Sequence, residues 1–574
     1  MKNNLKYLLV LSILTIFLGC EALDPLDENR QTFDFVSTDP AFAEGFLLHG
    51  YTGLVNQFRF VQAAATDDAV HNQLNNSYRN IATGGLSAQS NPTSKWKNFE
   101  KVFYINRFID ILNIGEIQWN RDDEINALFY ERMRGEAYAL RALHHYYVLQ
   151  AHAGIGTSGN LLGIPYFKEF IPNTGNFNIP RLSFQESVAA IIEDFNKAIE
   201  LLPNEYSDSP SKVPAKYAAL DFTKWLTVNG SQYNLRVTAK IVKALKARVA
   251  LFAASPSFLN GSEGYYETAA NIASELITDI GGVSGLAPDG ILYYDSDSDI
   301  NNPEILWRGS IGGTNSASER SYFPPSLNGL GQINPSENLV NAFPMQNGYP
   351  ATISNGYNPQ NPYENRDPRL KNFIITNGDS YARGTINTGF GGGIDRLDSI
   401  PQLSTRTGYY LKKLLRPDVV INPNGSNTGQ RHINVYIRYT ELFLILAEAA
   451  NEIGGPDYQV NGMSARDIIS AIRKRAGLAQ PDAYLATINT TEQMRRLIQN
   501  ERRLELCFEG YRFWDLRRWG LDLNETIKGN FFNGTEYQVL DQVEPRNYPN
   551  FATYLPIPNS QVIQFSALEQ NRGW

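Results

Sequence analysis

Helical periodicity is the feature that most constrains the fold of this chain. Eight segments repeat apolar residues at spacings of three and four, which predicts an amphipathic helix for each. They cover residues 96–117, 122–151, 183–202, 238–254, 265–280, 441–453, 464–476 and 490–509. Each helix must bury its apolar stripe against another element, so the sequence predicts a mainly α fold.

Two of these segments share a pattern of small residues. The strings ALRA at 139–142 and ALKA at 244–247 place alanines on otherwise leucine-rich faces. Alanine allows two helices to approach closely, as in stacked helix hairpins of the tetratricopeptide type. No strict 34-residue repeat is visible, so we expect a scaffold of degenerate helix pairs.

A long irregular stretch interrupts the helical pattern. Residues 281–434 are rich in Gly, Asn, Pro and Tyr and contain only short apolar runs, which predicts loops, turns and short strands. A smaller loop region covers residues 64–94. We therefore expect one globule over residues 31–574, with a helical scaffold at about 31–280 and 435–574 and a loop-rich insertion at about 281–434.

The N-terminus indicates export and lipidation. Lys2 and Lys6 precede an apolar run at 7–18 that is too short to span a bilayer, and Gly19-Cys20 follows. This arrangement predicts a lipoprotein signal peptide at 1–19, acylation of Cys20, and a polar tether at 20–30. An ordinary secretory signal with an incidental cysteine is the alternative. Cys507 is the only other cysteine, so acylation of Cys20 would leave no internal disulfide.

Charge and composition exclude one class of ligand and favour another. The chain has 51 Lys+Arg against 59 Asp+Glu, for a net charge of -8. Nucleic-acid binding needs a concentrated basic face, so a general nucleic-acid role is excluded. Aromatic residues make up 12% and charged residues 19% of the chain. A ring-rich surface with few charges suits an uncharged sugar better than a phosphate.

The block at 501–520 contains the strongest concentration of paired charges. Glu501 and Glu505 are four residues apart on a predicted helix whose same face carries apolar side chains. Carboxylates on such a face must be paired, which predicts a structural ion-pair network rather than a catalytic acid and base. The expected partners are Arg512, Arg517 and Arg518.

Metal and nucleophile patterns are weak. The six histidines form no HExxH motif, and Cys507 lies within a helical apolar face. The acidic run at 295–299 resembles the start of a calcium loop, but Ile300 and Leu306 replace the required glycine and glutamate. A solvated acidic turn is the default interpretation, and an irregular calcium site is the alternative. No metal or cofactor is predicted.

Several strings together resemble the SusD/RagB family, surface lipoproteins of the Bacteroidota that bind nutrients. They are RYTELFLILAEAANE (438–452), IRKRAGL (472–478), ERRLELCFEGYRFWDLRRWG (501–520), YLPIPNSQVIQ (554–564) and, nearer the N-terminus, RGEAYALRALHHYYVL (134–149). Arg572 and Ile164 depart from the family pattern, which usually has a proline and often an acid at these positions. The resemblance implies a tetratricopeptide-like scaffold, an outer-membrane cell-surface location, and a SusC-like TonB-dependent transporter as partner.

The resemblance also implies a sugar-binding face that is rich in aromatic residues. Sugars stack their C–H faces on exposed rings while amide, carboxylate and guanidinium groups bind the hydroxyls. Packing in the core is the alternative for each candidate. The candidates are Asn72, Tyr78, Arg79 and Trp96 from the first loop region, and Tyr293, Tyr294, Trp307 and Tyr322 from the insertion.

The leading hypothesis is therefore non-catalytic binding of an oligosaccharide or polysaccharide and its delivery to the transporter. A transporter lid that binds peptide or glycopeptide is one alternative. A surface glycoside hydrolase is the less favoured alternative, and it would use two acids of the insertion such as Asp289, Asp295 or Glu304.

Overall fold

The computed structural model describes residues 37–574 apart from 260, 261, 263, 291, 296–299, 313–316, 425 and 426. Its α-helices are α1 Pro40–Tyr51, α2 Ser77–Asn80, α3 Asn98–Ile114, α4 Asp123–His152, α5 Phe184–Leu201, α6 Phe222–Asn229, α7 Ala239–Ala254, α8 Gly264–Thr278, α9 Ala317–Tyr322, α10 Glu337–Ala342, α11 Pro368–Phe373, α12 Tyr439–Gly454, α13 Ala465–Arg475, α14 Thr491–Leu506, α15 Arg512–Arg518 and α16 Asn559–Gln564. None of the helices in this part has both the length and the apolarity needed to cross a bilayer. The predicted signal peptide, Cys20 and tether lie outside the described residues.

The strands are short and form two-stranded antiparallel ladders. They are β1 Ala69–His71, β2 Gly154–Ile155, β3 Leu161–Leu162, β4 Ile305–Ile311, β5 Ile333–Pro335, β6 Ile374–Ile375, β7 Asp379–Tyr381, β8 Gly384–Ile386, β9 Tyr410–Leu411, β10 Ile433–Arg438, β11 Ile527–Phe532 and β12 Tyr537–Glu544. The pairs are β1 with β5, β2 with β3, β4 with β10, β6 with β9, β7 with β8 and β11 with β12.

The long helices stack in chain order. Helix α1 packs on α3, α3 on α4, α4 on α5, α5 on α7, α7 on α8 and α8 on α12, which in turn contacts α13 and α14. All eight predicted helices are present, with ends within a few residues of the prediction. The expected mainly α, tetratricopeptide-like scaffold is thereby confirmed.

Small residues allow this stack to close. Ala139 and Ala142 of α4 and Ala247 of α7 are buried in the largest hydrophobic cluster, as the alanine pattern predicts. Gly135 contributes in the same way, because a Cβ at that position would lie 2.8 Å from Leu202 Cγ. The sequence thus determines how closely α4 approaches the end of α5.

Helix starts follow the predicted capping boxes. The Ser464 hydroxyl accepts from the Asp467 N–H, and the Asp467 carboxylate accepts from the Ser464 N–H. Thr490 and Gln493 form the same reciprocal pair at the start of α14. These bonds satisfy backbone donors that have no partner within the helix.

The insertion folds as loops, short strands and short helices around a hydrophobic cluster that it shares with the segment 60–69 and the end of α14. Phe323, Phe343, Tyr409 and Tyr410 are fully buried in that cluster. Strand β4 of the insertion pairs with β10, which leads directly into α12. The loop-rich character expected for residues 281–434 is confirmed, and β4–β10 joins this region to the scaffold.

The predicted ion-pair network at 501–520 is also present, with different partners. Glu505 pairs with Arg369 and Arg475, which come from α11 and α13. The expectation that Arg512 and Arg517 neutralise this block is wrong: Arg512 pairs with Asp67, and the Arg517 guanidinium lies over the Phe513 ring. Arg518 does pair within the block, with Asp515. Distant arginines reach the block because α11 and α13 pack around it in the folded chain, which sequence spacing does not show.

The close approach of the insertion to β11 predicts a sensitive glycine. Gly408 has φ of 88°, and a Cβ there would lie 1.9 Å from the carbonyl oxygen of Asn530. Gly408→Ala is expected to lower the free energy of unfolding by about 2–3 kcal/mol, from backbone strain and overpacking together. Gly384→Ala is the matched control, because nothing lies within 4 Å of its added Cβ. Urea midpoints compare the two, and equal midpoints would contradict the prediction.

Candidate ligand-binding cleft

A cleft with a cavity volume of about 90 Å³ lies between the long helices, strand β10 and the segment that leads into α15. Its walls come from the segment 55–62, the loop 93–95, helices α4 and α7, strand β10 and residues 509–514. Segments that are far apart in sequence thus converge on one concave surface. A concave surface lined by apolar rings and a few polar groups is where a ligand is expected.

Aromatic rings form much of the cleft wall. They are Tyr78, Tyr146, Tyr147, Tyr436, Tyr511 and Trp514. The Tyr511 hydroxyl donates to Glu441 Oε2 at 3.0 Å, and the Tyr147 hydroxyl accepts from the Val55 N–H at 3.3 Å. Trp514 is partly exposed and stands edge-on to Phe513, with 5.0 Å between ring centroids. The rings are therefore held in place, and Trp514 presents part of its face to the cleft.

Uncharged polar side chains lie between the rings. They are Asn56, Gln57, Gln62, Thr93 and Gln150. Gly510 brings this wall close to the segment 55–62: its φ is 86°, and an added Cβ would lie 2.7 Å from Arg59 Cβ. Only a residue without a side chain fits there, so Gly510 fixes the spacing between Arg59 and the Tyr511 segment.

The charged groups of the cleft are mostly cations. Arg248 is neutralised by Glu441 at 2.6 Å, and Arg438 by Glu509 at 2.9 Å. Within the described part of the chain, neither Arg59 nor Lys95 has a carboxylate at ion-pair distance. Burial together with the nearby Arg59 lowers the pKa of Lys95 to about 8, so that Lys95 is still mainly protonated at neutral pH.

A buried histidine holds the loop that carries Lys95. The Lys95 N–H donates to His152 Nε2 at 3.2 Å, and His152 Nδ1 donates to the Pro556 carbonyl at 2.8 Å. Burial lowers the pKa of His152 to about 3, which keeps the ring neutral. The neutral tautomer with its proton on Nδ1 is the one that satisfies both backbone groups.

Four of the predicted site residues lie in or near the cleft. Tyr78 lines it. The neighbouring Arg79 is instead paired with Glu544 at 2.6 Å. Trp96 follows the cleft residue Lys95, and its Nε1 donates to Gln561. Tyr322 packs against Phe60, with 4.8 Å between the two ring centroids. Phe60 directly follows the cleft residue Arg59 in the chain.

The other four predicted residues are buried, and the expectation that they are exposed on loops is wrong. Tyr293 and Trp307 are 1% and 3% exposed, and Tyr294 is similarly buried. Asn72 is fully buried and donates to three backbone carbonyls, including that of Leu403 at 2.9 Å. These side chains are part of the packed interior beneath the loops, where aromatic rings bury large apolar areas. Trp307 contributes only indirectly, because its ring supports Tyr436 at 5.0 Å.

Of the carboxylates considered for catalysis, Glu304 and Asp289 do not line the cleft. Glu304 is buried and paired with Arg438 at 2.7 Å, and Asp289 is exposed on a separate loop. The acidic run that begins at Asp295 continues into residues 296–299, which lie outside the described part. Among the described residues, no cluster of three His, Cys, Asp or Glu side chains is arranged to hold a metal ion.

Sequence reasoning missed most of the cleft. Tyr511 and Trp514 were available in the 501–520 block, where they are three residues apart and follow Gly510. Residues three apart share a face of a helix. A glycine before them ends the preceding helix, so that the new helix can take a different direction. Arg59, Lys95 and Tyr436 carry no local signal, because only the fold brings them together.

Comparison with known families connects this geometry to a group of proteins. A model of the SusD family matches residues 303–574. A second family model, described as starch-binding associating with outer membrane, matches residues 40–224. Both matches include residues that line the cleft. Tyr436 and Trp514 lie in the first match, and Tyr78 and Lys95 lie in the second.

Individual relatives agree with the family models. A SusD-like protein of Formosa agariphila is 31% identical over 150 residues, which cover 25% of this chain and 27% of the relative. A second SusD-like protein of the same organism is 36% identical over 90 residues, which cover 15% of this chain and 16% of the relative. The chain therefore matches less than a third of the length of each of these relatives. A SusD-like protein of Bacteroides fragilis has a solved structure with a TM-score of 0.71 at 24% identity, covering 96% of this chain and all of that one. A surface glycan-binding protein of Bacteroides fluxus has a TM-score of 0.58 at 17% identity, covering 94% and 100%.

Proposed function

Because the chain belongs to the SusD/RagB family, we propose that it is a non-catalytic binding protein that captures an oligosaccharide or polysaccharide at the cell surface. The observation that carries the proposal is the cleft itself. Partly exposed rings such as Trp514 and Tyr78 line it together with amides such as Gln62 and Gln150. Rings that stack on C–H faces and amides that bind hydroxyls are the combination that carbohydrate recognition requires.

The charge arrangement supports binding over hydrolysis. A glycosidase needs two carboxyl groups about 5–10 Å apart on either side of the scissile bond. Glu509 is the one carboxylate among the described residues that line the cleft. Its oxygens are occupied by Arg438 and by Lys413, which is 2.8 Å away. A carboxylate whose oxygens are already paired with two cations is not open to a substrate as a catalytic acid or nucleophile must be.

Anchoring and transport belong to the same proposal. Acylated Cys20 would attach the chain to the outer membrane, and a SusC-like TonB-dependent transporter would receive the glycan. The support is the Gly19-Cys20 sequence and the family model that describes association with the outer membrane. Detergent extraction of the native protein should copurify a large β-barrel, and recovery of the chain alone under mild conditions would contradict the partner.

Binding is tested by affinity electrophoresis in gels that contain candidate polysaccharides. The wild-type chain is expected to be retarded by at least one of them without releasing reducing ends. Trp514→Ala should weaken retention about tenfold or more, because burying a large apolar side chain contributes about 1.5–3 kcal/mol. Tyr458→Ala is the matched control, since this ring is 42% exposed and lies outside the cleft.

Two other outcomes would each replace the proposal. Release of reducing ends by the pure protein would favour the surface glycoside hydrolase. Retention of a peptide or glycopeptide, with no polysaccharide retained, would favour the peptide-binding alternative. Equal loss of binding in Trp514→Ala and Tyr458→Ala would move the binding surface away from the cleft.

A further inference from the structure

We propose that the cleft binds the anionic group of an acidic glycan, a carboxylate or a sulfate ester, through Arg59 and Lys95. This inference rests on the proposed function and specifies its ligand class. It also replaces the expectation, drawn from overall composition, that the ligand is an uncharged sugar.

The first argument is the local excess of positive charge. The chain as a whole carries a net charge of -8. The cleft nevertheless contains Arg59, Lys95, Arg248 and Arg438, against the single described carboxylate of Glu509. A concave surface lined by cations focuses a positive electrostatic potential, which attracts an anionic ligand even though the protein as a whole is acidic.

Two of these cations have no counter-charge among the residues that the structure describes. Arg248 and Arg438 are satisfied by Glu441 and Glu509, as described above. Arg59 and Lys95 have no carboxylate partner in the described part of the chain, although both are only partly exposed. In addition, Arg59 Nε is buried without a hydrogen-bond acceptor. Holding unpaired cations in a partly dehydrated place costs free energy, which an anionic ligand would recover.

Arg59 and Lys95 are also held in place by the surrounding backbone. Gly510 lies against the Cβ of Arg59, and the Arg59 carbonyl accepts from the Gln62 N–H at 3.0 Å. The Lys95 backbone is bound by His152. The backbones that carry the two charges are thus fixed before a ligand arrives, which lowers the entropy cost of binding.

The surroundings of this pair favour a sugar acid over an isolated ion. Tyr78 and Trp514 line the same cleft. An acidic sugar unit offers both a C–H face for these rings and an anionic substituent for the cations. A guanidinium binds carboxylate and sulfate oxygens in pairs, and a lysine adds a point charge. Carboxylate and sulfate share this chemistry, so the test separates them.

The experiment uses the detergent-extracted full chain in affinity gels with paired probes. Polygalacturonate is compared with its carboxyl-reduced form, and dextran sulfate with dextran, while amylopectin serves as an unrelated neutral polymer. At least one acidic probe is expected to be retained about 10- to 100-fold more strongly than its neutral partner. Retention should weaken as NaCl rises from about 0.05 M to about 0.5 M. The pair that responds identifies carboxylate or sulfate.

Charge-neutralising variants locate the interaction. Arg59→Gln and Lys95→Gln should each reduce retention of the acidic probe about tenfold or more. Lys97→Gln is the matched control, because Lys97 is exposed two residues from Lys95 and does not line the cleft. Circular dichroism spectra that match the wild type would establish that the variants are folded.

The outcomes distinguish this inference from the proposed function. Retention by amylopectin or dextran that survives both Arg59→Gln and Lys95→Gln would overturn the anionic specificity and leave glycan binding intact. Equal losses in Lys95→Gln and Lys97→Gln would show attraction to overall surface charge and would also overturn it. Retention of none of the polysaccharides, or only of an acidic peptide such as polyglutamate, would contradict the proposed function as well.

Discussion

Arg369→Met is expected to lower the free energy of unfolding by about 3–5 kcal/mol. The Arg369 guanidinium is buried and donates to Asp367 at 2.6 Å and to Glu505 at 3.0 Å. Methionine retains much of the side-chain volume but removes the charge, so that Asp367 is left in the core without its cation. Arg369 also contacts Glu501 at 2.9 Å. Glu505 keeps Arg475 at 2.9 Å and Glu501 keeps Arg473 at 2.8 Å, which limits the loss to one uncompensated carboxylate.

The depressed pKa of Glu505 reflects the strength of this network. Burial by itself would raise this pKa, but Arg475, Arg369, Arg438 and Lys413 together lower it to about 2. The cations thus outweigh desolvation at this position. Removal of one of them from a dry, mutually oriented cluster is therefore costly.

A surface arginine provides the matched control. Arg496 lies on the adjacent helix α14, is 77% exposed, and pairs with Glu492 at 2.9 Å. Exposed pairs of this kind contribute little, so Arg496→Met should change stability by less than about 0.5 kcal/mol. Urea midpoints of the two variants test the difference, and similar midpoints would show that the buried cluster is not a main source of stability.

This network also supports the cleft. Glu505 lies in the last turn of α14, and Glu509 lies in the turn that follows, immediately before Gly510 and the segment that carries Tyr511 and Trp514. Glu509 itself joins the network to the cleft wall through Arg438. The motif at 501–520 therefore combines two features: its charges fix the junction of α14 and α15, and Tyr511 and Trp514 line the candidate cleft.

The scaffold was predictable because the sequence of each long helix contains local signals for where the helix begins and which face is buried. The apolar stripe and the alanines of α4 specify its burial, and Ser464 and Thr490 specify where two later helices begin. Helix α1 and the β11–β12 hairpin were missed. These elements have weak local periodicity and are stabilised mainly by contacts with distant segments, such as α1 with α3 and α10 with β11.

The cleft was less predictable, for a different physical reason. Tyr78 was identified, whereas Tyr293 and Trp307 have the composition of exposed binding rings but are buried. Aromatic residues suit both a core and a sugar-binding face, and only tertiary packing decides between them. Arg59 and Lys95 could not be identified as unpaired cations from the sequence for a related reason. The net charge sums over the whole chain, whereas the pairing of each cation depends on which carboxylates the described fold places near it.

Acidification should destabilise the folded chain, with about 3 kcal/mol lost through His152 alone between about pH 7 and about pH 4.5. The folded-state pKa of His152 is lowered to about 3 by burial, whereas an unfolded histidine has a pKa of about 6.5. Below about pH 6.5 the unfolded chain takes up a proton that the folded chain does not. The free energy of unfolding therefore decreases as the pH is lowered from about 6.5 to about 3. Burial lowers the pKa of His145 well below its usual range, so His145 acts in the same direction.

The hydrogen bonds of His152 explain why the folded chain resists this proton and how the prediction is tested. A proton on Nε2 would oppose the Lys95 N–H, so protonation must break the bond that holds the loop of the cleft. His152→Gln should be less stable than the wild type near neutral pH but should lose less stability on acidification, because it cannot titrate. His49→Gln, at a side chain that is 32% exposed, should retain the wild-type pH dependence. Thermal unfolding of the three proteins across this pH range measures both quantities, and parallel losses in wild type and His152→Gln would assign the acid sensitivity to other groups.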